Sequence, residues 1–419
     1  MSVRSGRKVE SERRAEILDA AATVFASSGL RASLQQVADA CGILPGSLYH
    51  HFESKEQIFI ELVRRYQAEL DEIARKGVEQ GSGPLPPEER IVALGTAIAE
   101  CAVRHRAALL LTLYEPPVGP SQELVRLANR APTAINTAMH ATLQAARLRG
   151  TLRREVDLHL LADRICQGML HGAVGVYHRT RGAERVPAIR CRMLLHGLAV
   201  RPPDDARLDR SRARRTADEA IESWGEDGAP GKDDKAARIR AVARSEFARR
   251  GYDLTTIRDV AAAAGMSVGT VYRSIESKDN LMASILWSYV EKVTDGWNRI
   301  MSSPSTALEK LDALLWFNIN VVHRFAEEHR IQSLGLQLAP PKSPNLTWTF
   351  LAQLRQLETL ISEGLRTRQL QTEAASLDRV ARCVFALLWT PENIVHGVGS
   401  RRALRFTRDT VLRGAARRS

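Results

Sequence analysis

Long apolar runs are missing from this sequence: nowhere in its 419 residues do about 18 consecutive apolar side chains occur, the shortest helix that crosses a bilayer. A membrane-spanning role is thereby excluded from the expectations. Cysteine is scarce. Cys41, Cys101, Cys166, Cys191 and Cys383 are scattered singly with no Cys-x-x-Cys pair, which argues against a zinc site and against a disulfide framework. Neither a metal nor a cofactor is therefore expected. The opening stretch "MSVRSGRKVESERR" lacks the apolar segment and small-residue cleavage site of a secretory signal, so a cytoplasmic location is expected. Negative charge is also in deficit: 48 acidic residues stand against 60 lysines and arginines, a formal net charge of +12 that favours a polyanionic partner.

Alternating strand patterns are absent too. Helical spacing dominates instead: Ile17, Ala21, Val24 and Phe25 share one helical face, as do Leu308, Leu311, Leu315 and Ile319. The fold class read from this is all-α. A length of 419 residues, at about 100 to 200 residues per domain, calls for two to four domains.

The chain is written twice, and a repeat fixes architecture before any detail does. "ILDAAATVFASSGLRASLQQVADACGILPGSLYHHFESKEQIF" from Ile17 is answered by "IRAVARSEFARRGYDLTTIRDVAAAAGMSVGTVYRSIESKDNLM" from Ile239. Phe25, Gly29, Val37, Gly42, Gly46, Tyr49, Ser54 and Lys55 recur as Phe247, Gly251, Val260, Gly265, Gly269, Tyr272, Ser277 and Lys278. Farther on, "EPPVGPS" from Glu115 and "APPKSPN" from Ala339 carry prolines in the same three places and break helices in both halves. The resulting division is a basic arm over 1–11, a head over 12–59, a helical body over 60–200, a linker over 201–234, a second head over 235–282 and a second body over 283–419. The linker is rich in charge, Pro and Gly, as a mobile segment is, with Trp224 available to dock it locally.

Each head reads as a helix-turn-helix. Ser33 suits the cap of "LQQVADA", Gly42 and Gly265 supply the positive φ of a tight turn, and Pro45 suits the first position of the next helix. "SKEQ" and "SKDN" open a further helix in capping-box style, placing Lys55 and Lys278 at a positively polarised helix start suited to a phosphate. Gly265, Ser267 and Gly269 also spell the Gly-x-Ser-x-Gly of a hydrolase nucleophile elbow. That motif needs a strand before the serine, whereas "TIRDVAAAAG" is helical, so Ser267 is assigned to the start of a recognition helix and no catalytic residue is expected.

The run "VADACGILPGSLYHHFESKEQIF", and again "IRDVAAAAGMSVGTVYRSIESKDNLM", resembles the TetR family of transcriptional regulators. The likeness covers roughly 45 residues per repeat. It implies a DNA-binding head, an inducer-binding helical body and dimerisation through the last two helices. Carried over by matching positions, it implies contacts to a double-stranded operator at Ser33, Leu44, Pro45, Gly46, Ser47, Tyr49, His50 and Lys55, and at Thr255, Thr256, Ser267, Val268, Gly269, Thr270, Tyr272, Arg273 and Lys278. Two departures stand out: family members carry one head per chain, and Ile275 stands where an aromatic residue is usual.

A chain with two heads suggests an intramolecular pseudo-dimer, with Val156 to Tyr177 and Pro187 to Val200 packed against Leu377 to Val398 and Arg402 to Leu412 as a four-helix bundle. "LPGSLYHH" in one head faces "SVGTVYRS" in the other, so unlike half-sites are expected. Aromatic residues are unequally shared, three over 60–200 and eleven over 283–419. Trp316, Asn320 and His323, on one helical face, with Trp348 and Trp389, are the candidate lining of a pocket for a small apolar inducer, the first body being largely structural. The competing reading is a helical ligand- or protein-interaction protein whose heads no longer bind DNA.

Overall fold

A computed structural model describes residues 2–79, 85–115, 121–176, 183–225, 234–338, 344–373 and 376–417, with side chains left out over 2–9, 172–176, 183 and 335–349. The first half carries ten helices among the described residues: α1 (Ser2–Ser28), α2 (Leu34–Ala40), α3 (Pro45–His51), α4 (Lys55–Glu79), α5 (Pro87–Arg104), α6 (Arg106–Leu113), α7 (Gln122–Ala128), α8 (Thr133–Leu148), α9 (Leu158–Val176) and α10 (Val186–His196). Two short helices connect the halves, α11 (Asp205–Asp209) and α12 (Arg212–Glu222). The second half follows as α13 (Lys235–Arg250), α14 (Ile257–Ala263), α15 (Val268–Ser274), α16 (Lys278–Ser302), α17 (Ala307–Arg324), α18 (Ala326–Leu338), α19 (Pro344–Arg366), α20 (Leu377–Leu388), α21 (Glu392–Val398) and α22 (Ser400–Thr407), closed by a π-helical turn over Arg408–Leu412. No helix is long and apolar enough to cross a membrane among the described residues. The proline repeat falls largely outside them, at 116–120 and 339–343.

The heads form as their turn chemistry dictates. Ser33 caps α2 and accepts from the Gln36 N–H while the Gln36 side chain returns to the Ser33 N–H; Thr256 and Asp259 repeat the exchange on α14. Gly42 at φ +65° and Gly265 at φ +64° close the turn between the crossed helices, a conformation that a β-carbon disfavours. Below the turn, Leu48 of α3 and Val271 of α15 are fully buried and anchor each short helix.

From the heads, α4 and α16 run into the bodies. Each has 25 residues and, at about 1.5 Å per residue, a length of roughly 37 Å. Body one packs α5, α8 and α9 around α4; body two packs α17 and α12 against α16.

The expected linker is instead partly structured. Ala213, Ala217 and Ala220 form a buried stripe on α12, and Trp224 is buried edge-on against Phe317 and Phe325. A stripe of alanines buries too little apolar surface to announce itself in a charged stretch, which is why composition alone read it as mobile. A buried bidentate pair holds the far end: Arg408 donates Nε to Asp312 Oδ1 at 2.7 Å and Nη2 to Oδ2 at 2.8 Å, and reaches Asp209 of α11 at 2.7 Å.

The two halves touch along their C-terminal elements. α9 lies against α18 and α20, and α10 against α20 and the 408–412 turn. Backbone hydrogen bonds join Leu198 N–H to Val411 O at 2.8 Å and Arg417 N–H to Thr151 O at 2.8 Å. Gly197 and Gly414 cross here at positive φ, so closely that a β-carbon on Gly414 would lie 2.3 Å from the His196 carbonyl carbon.

Candidate nucleic-acid interface

Each short third helix buries one side and offers the other. Leu44 is 76% exposed and Tyr49 54%, with Gly46, Ser47 and His50 exposed beside them; Val268, Tyr272, Gly269 and Arg273 repeat the arrangement on α15. Large apolar and aromatic groups left in water around small residues describe a surface shaped for close approach to a partner. Pro45 and Thr270 are half-buried at the edge of these surfaces. Arg273 folds back on its own helix, Nε to the Gly269 carbonyl and Nη2 to Thr270 Oγ1, both at 3.3 Å. These long, exposed bonds leave it free to swing outward.

Ser267 is the N-cap of α15, its hydroxyl accepting from the Thr270 N–H at 3.1 Å, with helix α14 and a turn before it rather than a strand. Ser33 and Thr256 are likewise exposed caps. Thr255 needs correction. It is fully buried and gives its hydroxyl to the Gly251 carbonyl at 2.8 Å, so it cannot reach DNA from this position. The extra residue in the second repeat shifts the cap by one, and Thr256 alone matches Ser33.

Lys55 and Lys278 are half-buried first residues of α4 and α16. Lys55 Nζ donates to the Leu30 carbonyl at 2.7 Å and lies 5.4 Å from the Phe25 and Phe59 ring centres. Lys278 donates to the Tyr252 carbonyl and sits 4.0 Å from that ring. Burial, with the Arg31 charge adding, lowers the ammonium pKa of both, that of Lys278 to about 8. Each lysine thus braces the loop after the first helix of its head, a task the sequence did not disclose.

Those two loops meet. Arg31 Nη2 donates to the Thr255 carbonyl at 3.1 Å, joining head one to head two. Just past α6, the Glu115 N–H donates to the Arg249 carbonyl at 3.0 Å, Glu115 pairs with the Arg249 guanidinium, and the Tyr114 ring closes over Gly251. Body one therefore holds head two directly.

A cavity of about 850 Å³ lies within the bodies, and both halves line it. Tyr66, Leu109 and His171 come from the first half; His329, Phe385 and Trp389 from the second. Of the sequence-selected residues, Trp389 is placed in the wall, stacked on His329 at 4.5 Å. Trp316 is not: its Nε1 donates to Asp218 at 2.7 Å and the Arg214 guanidinium covers its ring at 4.0 Å, so α12 occupies that face. Asn320 is turned to the Trp316 carbonyl, and exposed His323 stands behind His396, 5.8 Å between rings. The Trp348 side chain lies outside the described residues. Body one, expected to be largely structural, supplies part of the wall. Desolvation pushes the His171 and His329 imidazoles down to about 4, that of His171 with help from the Arg330 charge, so both are neutral near pH 7.

The model of the family described as bacterial regulatory proteins, tetR family, matches residues 17–62 and again 239–285. The chain is 34% identical over 152 residues to the HTH-type transcriptional repressor KstR2 of Rhodococcus jostii, a match covering 36% of this chain and 73% of that protein. It is 42% identical over 100 residues to the repressor of the same name from Mycobacterium tuberculosis, covering 24% of this chain and 48% of that one. The solved structure of that ketosteroid transcriptional regulator superposes at a TM-score of 0.38 with 18% identity, over 46% of this chain and 99% of that chain.

Proposed function

We propose, for a chain that belongs to the TetR family of bacterial regulatory proteins, that a single polypeptide supplies both reading heads of its operator. The family makes it a DNA-binding transcriptional regulator. Beyond that, the proposal is a ligand-responsive repressor in which the two halves act as an intramolecular pseudo-dimer and read two unlike half-sites. One observation carries it: the surface residues of α3 and α15 and their caps differ at matched positions, exposed Leu44, half-buried Pro45 and exposed His50 against exposed Ser267, Val268 and Arg273, while the buried anchors below them are kept apolar. Arginine takes a guanine edge in a bidentate manner that histidine cannot. Ser33, Ser47, Tyr49, Thr256, Tyr272, Lys55 and Lys278 are the proposed backbone and positioning contacts.

The test is selection of bound duplexes from a random pool with full-length protein at a stated salt concentration. Two unlike half-sites about one helical turn apart support the proposal. A preferred perfect palindrome refutes it in favour of two chains using identical heads, and no enrichment by folded protein favours the interaction-protein reading. The effector proposed for the shared cavity is a small molecule with an apolar body and polar groups, since Leu70, Leu109, Phe385 and Trp389 share the wall with Gln67, Arg190, Arg330 and Gln353.

A further inference from the structure

Away from the reading heads, α4 and α5 bring together a carboxylate, a thiol and an imidazole. Glu69 Oε2 lies 2.8 Å from His105 Nε2, and the Cys101 sulfur joins them, the three donor atoms all lying within 4.8 Å of one another. Cys101 and His105 stand one helical turn apart, four residues along α5 and its cap, so both side chains project on one side; Glu69 faces them from α4. The geometry points to a binding site for a zinc-class divalent transition ion, with Glu69, Cys101 and His105 as protein ligands and a fourth position open.

Donor chemistry and access agree. One thiolate, one imidazole and one carboxylate form a set suited to a borderline-soft ion such as Zn²⁺ or Co²⁺, not to Ca²⁺ or Mg²⁺. Tetrahedral coordination at zinc bond lengths separates ligand atoms by about 3.3–3.6 Å. The separations present, 2.8 Å between His105 and Glu69 and up to 4.8 Å within the set, bracket that spacing. Cys101 is fully buried, His105 is 16% exposed and Glu69 29% exposed, which leaves an entrance on the Glu69 side. Arg104, the group paired with Glu69 there, is 59% exposed and free to swing away. On binding, the ion takes the Cys101 sulfur as thiolate and the thiol proton passes to solvent. The Cys-x-x-x-His spacing escaped a reading that sought paired cysteines. Its position gives the site consequence, because α4 leads to head one at Lys55 and His105 opens α6, whose far end holds head two through Tyr114 and Glu115.

The experiment is a Co²⁺ titration of chelator-washed, reduced full-length protein, followed by Zn²⁺ back-titration. One cobalt per chain is expected, with a thiolate-to-cobalt charge-transfer band and tetrahedral d–d bands, both erased by zinc. Cys101→Ser and Cys101→Ala, checked as folded by circular dichroism, should lose the charge-transfer band. His105→Gln and Glu69→Gln should weaken cobalt binding by at least ~10-fold. Absence of the band in folded wild-type protein overturns the assignment, as does a band that survives both Cys101 variants.

Discussion

Removing Arg273 tests the two-headed reading at its most exposed point. In the free protein its guanidinium makes only two bonds of 3.3 Å to its own helix, both in solvent, so Arg273→Ala should leave folding within about 0.5 kcal/mol of wild type. A bidentate contact to guanine is worth roughly 1–3 kcal/mol, that is, about 5- to 150-fold in affinity. The loss should fall on one half-site alone. The assay is fluorescence anisotropy at fixed salt with three duplexes, the selected operator and two artificial ones in which either half-site is duplicated. Arg273→Ala should weaken the operator, abolish preference at one base position and leave the duplicate of the other half-site unchanged at that head. A complementary chimera replaces Ser267, Val268, Thr270 and Arg273 by Leu, Pro, Ser and His while keeping buried Val271, so the anchor is preserved. It should turn the preferred operator into two like half-sites. Equal loss on all three duplexes, or a chimera with unaltered preference, would refute the reasoning, since neither can arise if α15 reads its own half-site.

Further outcomes follow from the same contacts. Lys278 is protonated below about pH 8 and neutral above it. If it holds a phosphate, raising pH through 8 should reduce the slope of log K against log salt by ~0.9, a step that Lys278→Arg should remove. The same depression means the unfolded chain binds that proton more tightly, so this lysine's contribution to folding stability rises from about pH 8 towards the ordinary lysine value. Asp312→Ala takes both fully buried bonds from Arg408 and leaves it paired with Asp209, and should cost up to about 3 kcal/mol in urea unfolding, less than an uncompensated buried charge. Gly414→Ala combines a positive φ with a β-carbon set into the Leu195–Gly197 backbone, and should cost roughly 2–5 kcal/mol in the same measurement. A cavity ligand should quench tryptophan emission, and Trp389→Phe should lose most of that quenching; full quenching in the variant would place the ligand elsewhere.

How much of this was legible in the sequence depends on the range of the physics involved. The heads were readable because caps and turn glycines act within a few residues and the unit is written twice, as Ser33, Gly42 and Gly265 show. Thr255 was misread because one inserted residue moves the cap to Thr256, a matter of register that only three-dimensional packing settles. The pocket face failed for another reason. Periodicity correctly put Trp316 and Asn320 together but could not say what covers them, and Asp218 and Arg214 of the connector took that place. His171 and His329 gave no local signal as partners in one cavity, since they lie in different halves and meet only through the packing of α9 on α18.

Fusion changes what selection can do with such a molecule. In a homodimer, one residue must serve both heads, both pockets and both sides of the interface, and symmetry couples every change to its copy. Here each copy is independent. Arg31 reaches across to Thr255 at 3.1 Å, Tyr114 sits on Gly251 and one cavity draws unlike walls from two bodies. On the proposed reading, joining the halves also makes their pairing intramolecular, so the second head engages at an effective concentration set by the chain and not by the amount of protein. Operator binding should then keep a constant midpoint and a Hill slope of one when total protein is lowered far below the level at which homodimers separate. A midpoint that rises on dilution, or a concentration-dependent mass at working protein levels, would show that two chains are needed and that the pairing of halves within one chain is not the DNA-binding unit.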